Sequence, residues 1–481
     1  MTELNQVTGL GQPAELVTPE VHAPPGAGSG DRVPWATFAV CAVSSYIATL
    51  DMSVVNVAFP EIARSFPDVS RGSISWVVTA YSIMFGSLLV VSGRMADRVG
   101  RKRMLQTGLG AFAVGSVVCA ISPGLGVLIA GRAVQGVGGA LLMPASLGLL
   151  LASFPESRRS QAMAWVGAAG ALGVASGPTL GALLVSAFGW RSAFWVNVPV
   201  CAVLVVVAAR AIREPARQAT PRPDAAAAVL ITLAVGSLVW GISRAEEHGW
   251  SDTTVLGLLV ASVVLVAVVV QRTLRHPAPL LPPSLFADRT FRAANAATFV
   301  FGAAFAANIL NNVLFLRSIW SYSVVRAGLF SVLAPVVVAV TSIIAGRVMS
   351  NVGFRTLLVS GQLVFAAVVV GQATLLEPGP APWTRWLPLM LVLGISIGFT
   401  FPVLTASAVS TLSPAHFALG GAVNNTFRQV GSAVGVALVV TMQATAPGIG
   451  GYRAGWYLVA ACGLLAAAIS LAQPGTNRDA R

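Results

Sequence analysis

Of the 17 acidic residues in this chain, Asp51 alone sits well inside a long apolar run. A carboxyl group in that setting must be paired, hydrated or protonated, so the chemistry it offers is proton binding. Two guanidinium groups, Arg132 and Arg428, are placed in the same way. Asp51 and Arg132 each lie about seven residues from the outer end of their runs, roughly 10 Å at ~1.5 Å per helical residue. Equal depth predicts that they pair. A neighbouring cation favours the carboxylate while desolvation opposes it, and a ligand that alters the balance drives proton release or uptake. The alternative is a static ion pair that only locks two helices.

Arg428 lies too deep for its side chain to reach either surface and needs an acceptor or a hydrated cavity. Asn424, Asn425 and Gln429 surround it, and Asn308, Asn311 and Asn312 cluster on another run. Such amides either line a cavity and bind the polar groups of a ligand, or hydrogen-bond between helices.

Other chemistries find no support. Lys102 is the only lysine and Arg103 follows it, so the phosphate-cradling sequence GxxxxGK[ST] cannot occur. Cys41, Cys119, Cys201 and Cys462 fall in apolar runs and read as packing residues. His22, His248, His276 and His416 are scattered, without neighbours at metal-ligand spacing. No nucleophile–base constellation is visible. The chain is expected to be no enzyme, and to hold no metal and no cofactor.

The elements that must position these residues are membrane helices. The chain has 481 residues, 56% hydrophobic and only 10% charged, and a soluble domain carries about a quarter charged residues. The net charge of +13 is spread over short turns rather than gathered on one face, which argues against nucleic acid as a partner. Fourteen apolar runs reach the ~20 residues that cross a hydrocarbon core. They cover 34–58, 74–94, 104–122, 125–152, 162–187, 194–212, 225–243, 254–272, 293–316, 325–349, 356–376, 386–408, 415–442 and 454–473. Most of the 30 basic residues follow even-numbered runs, as in Arg94 to Arg103, Arg158 and Arg159, or Arg210 to Arg222. That bias puts both termini in the cytoplasm.

The two halves repeat. Gly93 to Lys102 aligns with Gly346 to Arg355, each after the second run of its half. Parallel repeats about an axis along the membrane normal are a transporter architecture, with a substrate site near the midplane between them. The organisation expected is a disordered cytoplasmic tail over 1–33, a six-helix bundle over 34–212, a linker with an inserted transmembrane hairpin over 213–292, a second six-helix bundle over 293–473, and a cytoplasmic tail over 474–481. The fold class is all-α polytopic, with 14 transmembrane helices.

Several motifs resemble those of the major facilitator superfamily and, within it, the fourteen-span drug/proton antiporters. Gly93 to Arg103 matches the signature G-x-L-x-D-r-x-G-r-k, with Met95 in place of Leu. Leu50 to Pro60 is similar to the first-span signature of the drug antiporters, and Leu128 to Ala140, with Arg132, Gln135 and Gly136, to their fourth-span motif. Gly173, Gly177, Pro178 and Gly181 follow the antiporter motif G-x-x-x-G-P-x-x-G-G, which here ends in Ala182, and Ala164 stands where it expects an earlier Gly. Gly189 to Pro199 and Asn424 to Gly431 also resemble fourteen-span sequences.

The resemblance implies a plasma-membrane, bacterial, monomeric antiporter that exports small amphipathic drugs or antibiotics in exchange for protons by alternating access. Asp51 and Arg132 would couple the proton. Gly93, Asp97, Arg98, Gly100 and Arg101 would form a cytoplasmic latch of the outward-facing form. Gly173, Gly177, Pro178 and Gly181 would pack one helix closely and guard against proton leak. Asn308, Asn311, Asn312, Asn424, Asn425, Arg428 and Gln429 would line the substrate cavity. Trp76, Tyr81 and Trp165 read as lipid or core contacts. Export of an endogenous metabolite or lipid, or a non-transporting membrane sensor, stays open as an alternative.

Overall fold

In hydrocarbon every backbone N–H and C=O must be satisfied within its own segment, so uncharged apolar runs of this length become helices. A computed structural model describes residues 34–69, 71–214, 224–276, 279–444, 446 and 448–473. The expected tails, 1–33 and 474–481, lie outside the described residues, as do Arg217 and Arg222 of the linker. The described chain is helical throughout: α1 (Trp35–Ser65), α2 (Arg71–Val99), α3 (Arg101–Ala120), α4 (Leu125–Ser153), α5 (Glu156–Phe188), α6 (Ser192–Trp195), α7 (Asn197–Ala211), α8 (Ala225–His248), α9 (Thr253–Arg275), α10 (Pro283–Ala287), α11 (Arg289–Ser318), α12 (Val324–Ser331), α13 (Leu333–Val352), α14 (Phe354–Leu375), α15 (Leu387–Ser410), α16 (Phe417–Ala444) and α17 (Ile449–Leu471).

Among the described residues, 13 segments are long and apolar enough to cross a membrane. The expected run 415–442 coincides with α16, which has 28 residues but falls outside that set. Asn424, Asn425, Arg428 and Gln429 lower its hydropathy, and they are also its candidate functional residues. Two expected runs are broken once, at Val196 between α6 and α7 and at Val332 between α12 and α13.

Helix pairing follows one plan twice. α1 lies along α5, α2 and α3 along α4, and α7 against α3 and α1. In the second half α11 lies along α16, α13 and α14 along α15, and α17 against α14 and α11. The halves meet where α5 packs on α13 and α2 on α16. The aligned repeat segments share a local geometry that only glycine adopts easily: Gly100 closes α2 at φ 122°, and Gly353 closes α13 at φ 85°. Each then opens the next helix, α3 or α14.

The expected hairpin is α8 and α9, which pair with each other, and α8 also touches α2 and α16. Asp224 caps α8 by accepting from Ala226 N at 3.0 Å and Ala227 N at 3.2 Å, and it takes a hydrogen bond from Arg272 at the end of α9. That bond from Arg272 holds the Asp224 carboxyl below the usual carboxylate range. Asp252 caps α9 in the same way.

Candidate functional site

Asp51 and Arg132 meet as their equal depth predicts. Arg132 donates from a terminal guanidinium nitrogen to Asp51 Oδ2 at 2.6 Å, and both side chains are sealed from solvent. Arg132 also donates from Nε to the Val77 carbonyl at 2.9 Å and, from the same terminal nitrogen that holds Asp51, to Gln135 Oε1 at 2.9 Å. The second oxygen of Asp51 accepts from Asn197 Nδ2 at 2.7 Å and Gln135 Nε2 at 3.2 Å. Ser116 Oγ joins them, accepting from Gln135 Nε2 at 2.8 Å. The carboxylate is thus held by α1, α4 and α7 at once, with α3 behind. A buried ion pair with its remaining lone pairs satisfied is the arrangement that tolerates low dielectric.

Two members of this network escape sequence reading. Asn197 opens α7 146 residues from Asp51; it lies in the Gly189 to Pro199 segment that resembles fourteen-span sequences, but the resemblance assigns it no role. Tyr81, expected as a lipid or core contact, has its ring 4.4 Å from the Arg132 guanidinium carbon and lines the central cavity. The ring therefore stands between the ion pair and the cavity.

That cavity, about 1020 Å³, lies between the halves and is lined from α1, α2, α4 and α5 on one side and from α11 to α13, α15 and α16 on the other. Asn308, Asn312, Asn424, Asn425, Arg428 and Gln429 all line it. Asn311 does not. Its side chain is fully buried, donating to the Tyr452 carbonyl at 2.9 Å and accepting from Gln443 Nε2 at 2.7 Å, so it clamps α11 to α16 and α17. Asn312 accepts from Trp456 Nε1 at 2.9 Å, and Asn424 donates to Thr298 Oγ1 at 2.9 Å. Each therefore combines a packing contact with its place on the cavity wall. Asn308 Oδ1 is buried without a partner among the described residues.

The Asp97 end of the cavity is closed. Asp97 Oδ2 accepts from Leu419 N at 2.9 Å and Oδ1 from Ala418 N at 3.4 Å, both in the first turn of α16. Arg101 grips the same carboxylate at 2.7 Å, donates to the Gly148 carbonyl at 3.0 Å and reaches the Pro414 carbonyl across the interface. Gly93 is obligatory here, since a Cβ would lie 2.5 Å from Ala422 Cβ and 2.8 Å from Ala418 O. Arg98, half-buried, takes no part in these contacts. Sequence reading missed Glu214, whose carboxylate accepts from Lys102 N at 3.1 Å and Arg103 N at 3.2 Å and so caps α3 beside Gly100. His416 sits at the same junction, where burial and then the Arg94 charge hold it below the usual histidine range.

Gly173, Gly177 and Gly181 form one face of α5 against α1. A Cβ on Gly173 would strike Thr49 Oγ1, and one on Gly177 would strike Ser53. Thr49 uses the closeness to donate to the Gly170 carbonyl at 2.9 Å. Pro178, in the same helix, lines the cavity. The helix that carries Asp51 is therefore locked to a helix that itself packs across the interface on α13.

Comparison with known proteins agrees with this architecture. The family model for the Major Facilitator Superfamily matches residues 41–436. The chain is 32% identical over 433 residues to the methylenomycin A resistance protein of Streptomyces coelicolor, covering 89% of this chain and 88% of that one. It is 29% identical over 421 residues to the tetracenomycin C resistance and export protein of Streptomyces glaucescens, covering 86% and 77%. A human organic anion transporter of known structure shares the fold, with TM-score 0.68 at 15% identity, over 92% of this chain and 100% of that one.

Proposed function

We propose that this chain, which belongs to the Major Facilitator Superfamily and is a membrane transporter, exports an amphipathic antibiotic or drug in exchange for protons. The observation that carries the reading is the sealed Asp51–Arg132 pair, one aromatic ring away from a large central cavity. The resistance proteins of similar sequence support drugs as cargo. Positive charges collected at the Asp97 end support a cytoplasmic position for that end and for both termini, in a plasma membrane. The closed state at Asp97 is then the outward-facing one.

The chemistry follows from the network. While ionised, Asp51 holds Arg132, Asn197 and Gln135 together and so ties α1 to α4 and α7. Protonation removes the charge that organises those donors and leaves Arg132 buried without its counter-ion, which is strongly destabilising. Relief requires the helices to shift, and α1 lines the cavity through Ala48, Thr49, Met52 and Ser53. Cargo binding and proton occupancy thereby bias the same helix. In this reading the bundles 34–212 and 293–473 rock about the cavity within one chain, α16 is the thirteenth span and completes the set of fourteen, and α8 with α9 rides beside α2.

The test is transport in inverted membrane vesicles with an imposed pH gradient, comparing wild type with Asp51→Asn. The amide keeps the shape of the side chain and cannot exchange a proton. Gradient-driven drug uptake is expected in wild type and absent in a folded, inserted Asp51→Asn protein. Wild-type exchange by the variant would remove Asp51 from the coupling role.

A further inference from the structure

The two guanidinium groups buried in the spans are treated differently by the fold. Arg132 meets a carboxylate, a carbonyl and an amide oxygen, so three of its five N–H donors and its charge are answered within the protein. Arg428 meets only Asn425 Oδ1, three residues earlier on α16, and no carboxylate among the described residues. A guanidinium has five N–H donors, so most of those on Arg428 are unspent. They face the central cavity, whose wall includes Arg428, Asn425 and Gln429.

The charge of that wall is one-sided. Among its residues the ionisable side chains are Arg428, Arg317 and the phenol Tyr81, with no Asp, Glu, Lys or His. Arg317 is exposed near the end of α11. Gly302 of the same helix lies against the Arg428 backbone, where a Cβ would meet Arg428 O at 2.8 Å. From Gly302 to Arg317 the helix rises roughly 22 Å at ~1.5 Å per residue. Arg317 therefore stands far from Arg428, near the exposed end of α11, and cannot bind the same group.

The surroundings of Arg428 are aromatic. Its guanidinium carbon lies 5.7 Å from the Phe401 ring, which packs edge-on against Phe305 at 4.9 Å. Both rings line the cavity. Phe401 lies within cation–π reach of the guanidinium, whose planar fork can recognise a carboxylate with two parallel hydrogen bonds.

We propose that the cavity takes an amphipathic carboxylic acid as its anion, with the carboxylate on Arg428 and the hydrocarbon body against Phe401 and Phe305. This rests on the reading of the cavity as the cargo site, and it narrows the cargo to one charge class. A cationic amphipath would meet two like charges and no carboxylate. A neutral one would cover Arg428 without giving its donors a charged acceptor.

The test measures binding, so it stands apart from proton coupling. Purified full-length protein in neutral detergent is titrated near neutral pH with three probes on one hydrocarbon: 4-(1-pyrenyl)butyric acid, its methyl ester and 4-(1-pyrenyl)butylamine, each corrected for empty micelles. The acid should bind at least about tenfold tighter than the amine, and Arg428→Gln should weaken the acid by about tenfold or more, the size of one lost charge-assisted hydrogen bond. The ester should change less than about twofold in that variant, which also reports that the cavity is still folded, while Arg428→Lys should retain part of the preference for the acid. An acid bound no tighter than the amine in wild type would overturn the proposal. So would equal weakening of all three probes in Arg428→Gln, which marks a structural role, or no binding of any probe. Failure of gradient-driven exchange with this preference intact would instead count against the antiport reading alone.

Discussion

Removing the Asp97 carboxylate should open the end of the cavity that it now closes, by an amount the geometry bounds. Two contacts tie it to α16, the bond from Leu419 N at 2.9 Å and the longer one from Ala418 N at 3.4 Å. Hydrogen bonds to a charged acceptor contribute about 1.5–3 kcal/mol net, so the shorter bond alone stabilises the closed end by about 2 kcal/mol. Asp97→Ala should therefore raise the ratio of open to closed forms roughly thirtyfold. Asp97→Asn keeps one acceptor oxygen without the charge, worth about 1 kcal/mol, and should raise it only about fivefold. Arg101 keeps its reach to the Pro414 carbonyl in both variants, which limits the effect. Distance distributions between labels on cysteines introduced at Val99 and Thr411, exposed positions on α2 and just after α15, would report the ratio once the native cysteines are replaced. An unchanged distribution in Asp97→Ala would refute the latch. Equal effects of Ala and Asn would refute the role assigned to the second acceptor oxygen.

Gly177→Val should lower the melting temperature, because overpacking at a close helix contact costs about 1–3 kcal/mol and its Cβ would strike Ser53 of α1; an unchanged melting curve would show that α1 and α5 separate freely. Asn311→Ala should reduce stability without altering probe affinity, whereas Asn308→Ala should alter affinity with little loss of stability, and the reverse pattern would place the wrong asparagine on the cavity wall. If a monoanion leaves as one proton enters, two charge equivalents cross per cycle, about 4.6 kcal/mol per 100 mV. A lumen-positive potassium diffusion potential in inverted vesicles should then speed uptake of pyrenylbutyrate more than of its ester, and equal responses would contradict that charge movement.

The membrane character, the repeat and the pairing of Asp51 with Arg132 were legible because each depends on one-dimensional quantities: run length, charge position and depth. Gly100 and Gly353 carried the repeat down to local geometry, since a left-handed turn between two helices leaves glycine as its mark. What depends on helix rotation was not legible. Asn308, Asn311 and Asn312 occupy one turn, yet Asn311 faces α16 and α17 while the other two face the cavity, and only the neighbours decide which face is which. Tyr81 and Asn197 were hidden for a related reason, because their partners lie on other helices. Arg98 sits in the most specific motif of the chain, yet among the described residues it makes no hydrogen bond or ion pair across the interface. A motif marks a segment, and packing assigns the work within it.

The separation of the two buried charge systems constrains how exchange can operate. Asp51 has almost no exposed surface and does not line the cavity, so cargo and proton cannot compete for that carboxylate in this conformation. The charge that faces the cavity, Arg428, belongs to the opposite half and offers nothing a proton can take. In the exchange proposed above, coupling must then be mechanical. One continuous route is the network on α1, the glycine contacts that join α1 to α5, and the packing of α5 on α13 across the interface; a second runs from Arg132 through Val77 and Tyr81 of α2 to α16. In the proposed exchange, strain released at Asp51 would reach the other half through Gly173 and Gly177 if those contacts stay rigid, so that the missing Cβ at each position would serve the exchange as well as the packing.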